Sequence, residues 1–299
     1  MSDSNWLSEF PEMDASDLRA IRKTLDGAYR DFSREYGELI ESLFDPLLAF
    51  LVWFEKLLIS TPWFIILGVC TTLVYAASRS WKLAAACFGS LILIGYFGMW
   101  EDTMRTLSII TVCTMLAIAL GIPIGIAMAR SNRIQSVVTP LLDVMQTMPA
   151  FVYLIPVVML LGIGKIPGLI AVVIYAIPPV IRLTNLGIRL VDKEVLEAAT
   201  AFGASTRQRL FGVQLPLAMP TIMAGINQTI MMALSMVVIA SMIGVKGLGQ
   251  PVLKSITNQY FTLGLLNGLA IVALAILFDR ASQAYAKRTQ AHLGDSKHD

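Results

Sequence analysis

The chain has 299 residues, 56% of them hydrophobic and only 15% charged, with a formal net charge of +2 and a mean hydropathy of +0.68. Soluble domains carry about 25% charged residues, so this composition excludes an ordinary soluble domain. Several segments are long enough to cross a hydrocarbon layer of about 30 Å, which takes about 20 apolar residues per helix. The fold class is therefore an all-α polytopic membrane protein, with the lipid bilayer as its solvent and no nucleic-acid partner expected.

Residues 1–44 are hydrophilic and carry helix-forming sequence such as DASDLRAIRKTLDGAYRDFSREYGELIESL. The opening MSDSNWLSEFPEMD lacks the basic start and apolar run of a cleavable signal, so it is expected to stay in the mature protein. Residues 45–58, DPLLAFLVWFEKLL, are short and amphipathic and predict a helix lying in the membrane interface. Seven spans are predicted after it, over about 60–78, 83–99, 104–129, 136–162, 167–189, 221–245 and 261–279. The first two, within 59–99, are accessory to the rest. Pro123, Pro149, Pro156, Pro178 and Pro179 fall inside spans. Their freed carbonyls need partners from neighbouring helices or a wet cavity, which predicts a kinked bundle.

Cys70, Cys87 and Cys113 lie in apolar segments without ligand spacing and read as small buried or lipid-facing residues. The only histidines, His292 and His298, fall in the polar tail 286–299. No metal site and no histidine-based catalysis are expected.

Basic residues near span ends set orientation. With the connection at 190–220 placed in the cytoplasm, Arg79, Lys82, Arg130, Arg133, Arg182, Arg189, Lys193, Arg280, Lys287 and Arg288 fall on the same side. Residues 1–58 hold twelve acids and six bases, and the remainder nine acids and seventeen bases. The expected topology has the N-terminus outside and the C-terminus in the cytoplasm.

That long connection contains EAATAFGASTRQRLFGVQLP, residues 197–216. Helix-forming sequence from Glu194 is interrupted at Gly203. Ser205 or Thr206 can then cap a second short helix, with Pro216 and Pro220 ending it and opening the next span. Ala198, Ala199, Ala201 and Ala204 allow close approach by another protein, Phe202, Leu210 and Phe211 supply apolar anchors, and Arg207 and Arg209 supply charge. The stretch is a docking element rather than a chemical one.

The pattern Glu197-Ala198-Ala199, Gly203, Val213 and Leu215-Pro216 resembles the EAA signature of ABC importer permeases, with valine where isoleucine is usual. The resemblance implies a type I ABC importer (MetI-like) core of five helices over about 100–285, with coupling helices in the loop that seat in a cytoplasmic ATP-binding subunit. Glu197, Ala198, Ala199, Phe202, Gly203, Arg207, Val213, Leu215 and Pro216 are then the coupling residues. The runs QTMPAFVYLIPVVMLLGIGKIPG (146–168), YAIPPVIRLTNLGI (175–188) and QLPLAMPTIMAGINQTIMMALSMVVIASMIG (214–244) are similar to the osmoprotectant branch, whose cargo is glycine betaine, proline betaine or choline. Membership implies a bacterial inner-membrane protein working as a homodimer with a periplasmic substrate-binding protein. It also implies that ATP and Mg are used by the partner ATPase and that this chain binds no cofactor.

The segment GIGKIPG (162–168) lacks the G-x-x-x-x-G-K-[ST] of a phosphate loop and reads as a tight external turn. Asp143 is the carboxylate placed clearly inside a span; it is a candidate gate residue able to pair with Arg130 or Arg182, or else a polar anchor. Gln146, Thr147 and Met148 form one weakly polar patch toward mid-span, and Asn227, Gln228, Met231 and Ser235 a second. Both are candidates for a pathway that passes a small zwitterion without trapping it. An intramembrane enzyme would need a paired aspartate, an H-E-x-x-H or a serine with a basic partner, none of which the spans offer. An ion-coupled secondary transporter would be expected to show inverted repeats or coupling carboxylates.

Overall fold

The computed structural model describes the backbone of residues 12–295 and the side chains of residues 12–286. Expectations on the signal-free start, and on the side chains of Lys287, Arg288, His292 and His298, lie outside the described residues. Every regular element among the described residues is helical.

The chain begins with α1, Ala15–Ser60, a single helix of 46 residues and about 69 Å at 1.5 Å per residue. The sequence predicts two pieces here, with a separate helix over 45–58. The structure instead carries Pro46 inside one helix. Continuity follows from a stripe at helical spacing, Tyr29, Ser33, Gly37, Phe44, Leu47, Leu51 and Glu55, which is half-buried or buried along its length. Pro46 and Ser42, whose carbonyl loses its helical donor, both lie on the exposed side, where the missing bond is least harmful.

Helix α2, Trp63–Ser78, follows at 110° to α1, and α3, Trp81–Tyr96, packs back on it. At 16 residues each, both fall short of the roughly 20 that cross a bilayer unaided. Next come α4, Trp100–Arg130, and α5, Asn132–Thr147; a 3-10 turn, Ala150–Tyr153, leads into α6, Leu154–Leu161. Helices α7, Lys165–Ala176, and α8, Pro178–Arg189, form one apolar run. Then α9, Lys193–Ala201, and α10, Thr206–Arg209, lead through a π turn, Leu210–Gln214, into α11, Leu215–Ala240. The chain closes with α12, Gly249–Asn258, and α13, Phe261–Asp295.

Among the described residues four stretches are long and apolar enough to span, Trp100–Arg130, Lys165–Arg189, Thr206–Ile243 and Phe261–Ala286; two bent pairs raise the number to six, and α3 is a further, shorter apolar helix. Seven spans are expected from sequence. The segment predicted as one span over 136–162 is bent by 113° between α5 and α6, because Pro149 cannot continue the ladder.

The core is built on close backbone approach. A Cβ on Gly121 would lie 2.4 Å from Val180 Cγ1, and one on Gly125 would lie 2.7 Å from the Ile181 carbonyl oxygen. Glycines four residues apart thus let α4 meet α8 at backbone distance, as small residues do between membrane helices.

The two ends of the bundle are fastened differently. At one end, Glu55 of α1 is buried and pairs with Lys165 Nζ at 2.6 Å and Arg105 Nε at 3.8 Å. Arg105 also reaches Glu101, and Asp102 at 3.2 Å. Tyr29 donates to the Pro156 carbonyl, and Ser33 Oγ donates to those of Met159 and Leu160 at 3.2 and 3.1 Å. The Ser33 hydroxyl thereby meets carbonyls in the last turn of α6, where helical donors run out. At the other end, Arg189 Nη2 donates to the Met128 carbonyl at 2.8 Å and to Asn132 Oδ1 at 2.9 Å, joining α8 to the α4–α5 connection.

Replacing Gly125 with valine should destabilise the protein by about 2 kcal/mol or more, because the Ile181 backbone has no rotamer with which to yield; thermal unfolding in detergent measures it. Glu55→Gln should leave Lys165 and Arg105 without their shared carboxylate and loosen α1. Faster amide exchange over residues 29–55, with α8 and α11 unchanged, is the expected result.

Candidate functional site

The connection after α8 folds into a compact knob. Asp192 caps α9, accepting from the Glu194 N–H at 2.9 Å. Phe202 ends the helix and Gly203 turns the chain at φ +79°. The Gly203 N–H then donates to Thr200 and the Ala204 N–H to Ala199, at 2.9 and 3.0 Å, the paired closing bonds of a glycine C-cap. Ser205 opens α10 with a reciprocal cap: its Oγ accepts from the Gln208 N–H at 3.3 Å while its own N–H donates to Gln208 Oε1 at 2.8 Å. Ser205, rather than Thr206, is the capping residue. Arg209 Nη1 donates to Thr200 Oγ1 at 2.9 Å and ties the two short helices together.

Glu197 lines a concavity of about 410 Å³ with Lys193, Leu196, Thr200 and Arg209. Ala198 is exposed and Ala199 half-buried. Phe202 is 91% exposed. Arg207 lies over the ring of Phe211, which is also exposed, 6.0 Å from its centroid.

The knob is rooted in the bundle. Leu210 and Leu215 pack with Ile188 at the end of α8 and with Ala218 and Ile222 of α11. Val213 and Pro216 are half-buried at this root. The sequence predicts that Pro216 and Pro220 separate the second short helix from the next span. Instead the chain runs on through the π turn into α11, with Pro216 in its first turn and Pro220 inside it. A π turn skips the helical bond that Pro216 cannot donate, so the helix absorbs the proline instead of ending.

On α11, Gln228 and Ser235 are exposed on one face, with Met231 half-buried beside them. Ser235 Oγ donates to the Met231 carbonyl at 3.0 Å. Asn227 is turned away from that face. Its Nδ2 donates to Asp279 Oδ1 of α13 at 2.7 Å, and its Oδ1 accepts from Ser282 Oγ at 2.6 Å. Gln146 and Thr147 are exposed at the end of α5, and Met148 is half-buried as its C-cap. Asp143 forms an ion pair with Arg182 of α8, and the Arg182 Nε has no hydrogen-bond partner.

Sequence reasoning missed several residues that the structure brings together: Glu55 and Arg105 at one end, Asp279 beside Asn227, and Tyr153 near the bend. A carboxylate or tyrosine in an apolar stretch was the available signal, though nothing in the sequence names its partner.

Residues 121–291, more than half of the chain, match the family described as binding-protein-dependent transport system inner membrane component. The chain belongs to that family. The permease is 48% identical over 243 residues to the glycine betaine/proline betaine transport system permease protein ProW of Escherichia coli K12, covering 80% of this chain and 67% of that one. It is 49% identical over 232 residues to the glycine betaine/carnitine transport permease protein GbuB of Listeria monocytogenes, covering 77% and 82%. This permease thus spans about two thirds of ProW's length. It also resembles the inward-facing MetNI methionine ABC transporter, with a TM-score of 0.57 over 64% of this chain and 95% of that one. At 18% identity that likeness shows the fold alone. The permease is a multi-pass inner-membrane protein.

A double-mutant cycle should give Asp143 and Arg182 a coupling of about 1 kcal/mol, with Asp143→Ala the more damaging single change because it leaves a cation in the helix bundle unpaired. Unfolding midpoints of the two single variants and the double variant provide the check.

Proposed function

We propose that this chain is the membrane-spanning subunit of an ATP-driven, binding-protein-dependent importer of quaternary-amine osmoprotectants, with glycine betaine and proline betaine as cargo. The observation that carries the reading is the knob: a rigid pair of short helices, rooted on α8 and α11, that presents a bare phenylalanine and a charged concavity. Such a surface suits a partner protein and performs no chemistry. The cargo class follows from what ProW and GbuB are named for, together with 48–49% identity to them.

In this reading the knob faces the cytoplasm and seats in an ATP-binding subunit that consumes ATP and Mg, so hydrolysis belongs to the partner and not to this chain. Because α8 and α11 share one apolar root with the knob, closure of the ATPase turns both helices together. Glu197, Ala198, Phe202, Gly203 and Arg207 form the contact surface and turn, and Ala199, Val213, Leu215 and Pro216 its root. Two copies each supply one knob and one half of the pathway. Gln228, Met231 and Ser235 on α11, with Gln146, Thr147 and Met148 on α5, offer the cargo weak polar and thioether surfaces and no fixed charge to hold it. Asn227 supports that wall through Asp279. The Asp143–Arg182 pair closes the inner part of the path when the helices approach. Helix α1 lies on the outer face, where the substrate-binding protein delivers cargo, so the N-terminus is outside and the C-terminus inside.

Proteoliposomes with the cognate ATPase inside and the binding protein outside test the proposal with labelled glycine betaine and choline in parallel. Uptake that requires both ATP and the binding protein is expected, with glycine betaine preferred. A choline preference would move the cargo assignment within the family, and uptake without the ATPase would sink the importer mechanism. Gly203→Val places a β-branched residue in the left-handed region, at a cost of about 1–2 kcal/mol. That variant should keep membrane insertion but hydrolyse ATP with little uptake; normal uptake would remove the coupling role of the knob.

A further inference from the structure

We infer that Tyr153 is a positioning residue for transport, setting the wall of the pathway by closing the break between α5 and α6. The inference rests on the reading above that the exposed end of α5 lines the path.

In an unbroken helix the N–H of residue 149 would donate to the carbonyl of Met145. Pro149 has no N–H, so that carbonyl loses its helical donor. The last helical bond of α5 runs from the Met148 N–H to Val144 at 3.1 Å, and Met148 itself is extended, at ψ 134°. The chain then bends by 113°. Four residues past the proline, the Tyr153 hydroxyl returns across the bend and donates to the Met145 carbonyl.

Broken backbone at membrane depth is tolerated only where protein groups or a wet cavity satisfy it, and here a side chain supplies the missing donor. The tyrosine is held firmly enough to do so. It is 6% exposed, and its ring meets that of Tyr175 on α7 edge to face, with centroids 5.8 Å apart and planes at 73°. The residues between donor and acceptor include Gln146 and Thr147, both exposed, and Met148. Tyr153 therefore touches no cargo. It fixes the bend that presents those three side chains, and it anchors that bend to α7.

Tyr153→Phe keeps the ring and its contact with Tyr175 and removes only the donor. In proteoliposomes with the ATPase and binding protein, glycine betaine moved per ATP hydrolysed should fall about tenfold, the factor set by losing one buried hydrogen bond. Binding-protein-stimulated hydrolysis should stay within about twofold of the parent. Position 149 has a donor of its own in Pro149→Ala, so adding Tyr153→Phe there should lower the ratio by less than about twofold, as expected when two changes remove one interaction.

An unchanged ratio in Tyr153→Phe would overturn the inference, and so would an equal fall in both backgrounds. Uptake and hydrolysis falling in proportion would also overturn it, since that marks ordinary packing. Amide exchange over residues 144–153 on the same samples keeps the two readings apart. If the parent protein moves no betaine yet Tyr153→Phe speeds that exchange about tenfold, again the worth of one hydrogen bond, the cargo reading falls and the role of Tyr153 at the break stands. If exchange is also unchanged, both fall.

Discussion

Helix α8 is held at backbone distance from its neighbours, and the rest of the molecule follows from that closeness. Gly121 and Gly125 admit α8 to α4. On the other side, a Cβ on Gly225 would lie 2.9 Å from Leu183 Cβ and 3.2 Å from the Pro179 carbonyl, so α11 is equally near. Lipid offers no hydrophobic drive to hold apolar helices together, so dispersion across such close contacts supplies it. The two helices that are packed most tightly are the two from which the knob grows. Displacement at the knob end is then carried by a unit with little room to deform.

Around this unit the remaining helices share the apolar core and are also fastened by polar contacts at chosen points. Arg189 binds the α4–α5 connection to the end of α8, Asn227 and Asp279 join α11 to α13, and Asp143 joins α5 to Arg182. Each fastening is a hydrogen bond or ion pair with one or two partners, unlike the continuous contact along α8. Sliding or tilting of α5 past α8 therefore breaks few bonds, whereas α13 also packs its apolar face, Ala270 and Leu274 included, into the main core. A rocking transporter has the same requirement, a stiff centre and a periphery that can exchange partners.

Much of this was legible in the sequence for a physical reason. Apolar runs of spanning length, the glycine break at Gly203 and the Ser205 cap are local signals, and the knob formed where they placed it. The Asp143–Arg182 pair was among the pairings expected. Three features were not legible. Helix α1 appeared as two pieces because its composition changes near residue 45 from hydrophilic to amphipathic, whereas a buried stripe contacting other elements runs through both parts. The span over 136–162 appeared as one kinked crossing because hydropathy does not register direction, and Pro149 is compatible with either a kink or a reversal. Its outcome depends on Tyr153, a donor that becomes one only once the chain has already turned. Asn227 was grouped with Gln228 by adjacency, yet neighbours in a helix point about 100° apart, and the partner that claims it comes from α13.

The π turn at Leu210–Gln214 carries a consequence for how the two parts of the molecule are phased. A π turn takes one more residue than the α-helical turn it replaces while still carrying the chain about once round the axis. The added residue is absorbed locally, so the knob keeps nearly the azimuth relative to α11 that an unbroken helix would give it. Shortening the turn by one residue would restore the α-helical ladder just ahead of Pro216, which has no N–H to donate and whose ring would meet the carbonyl one turn back. In this stretch one added residue lets a rigid rod keep its heading across a proline.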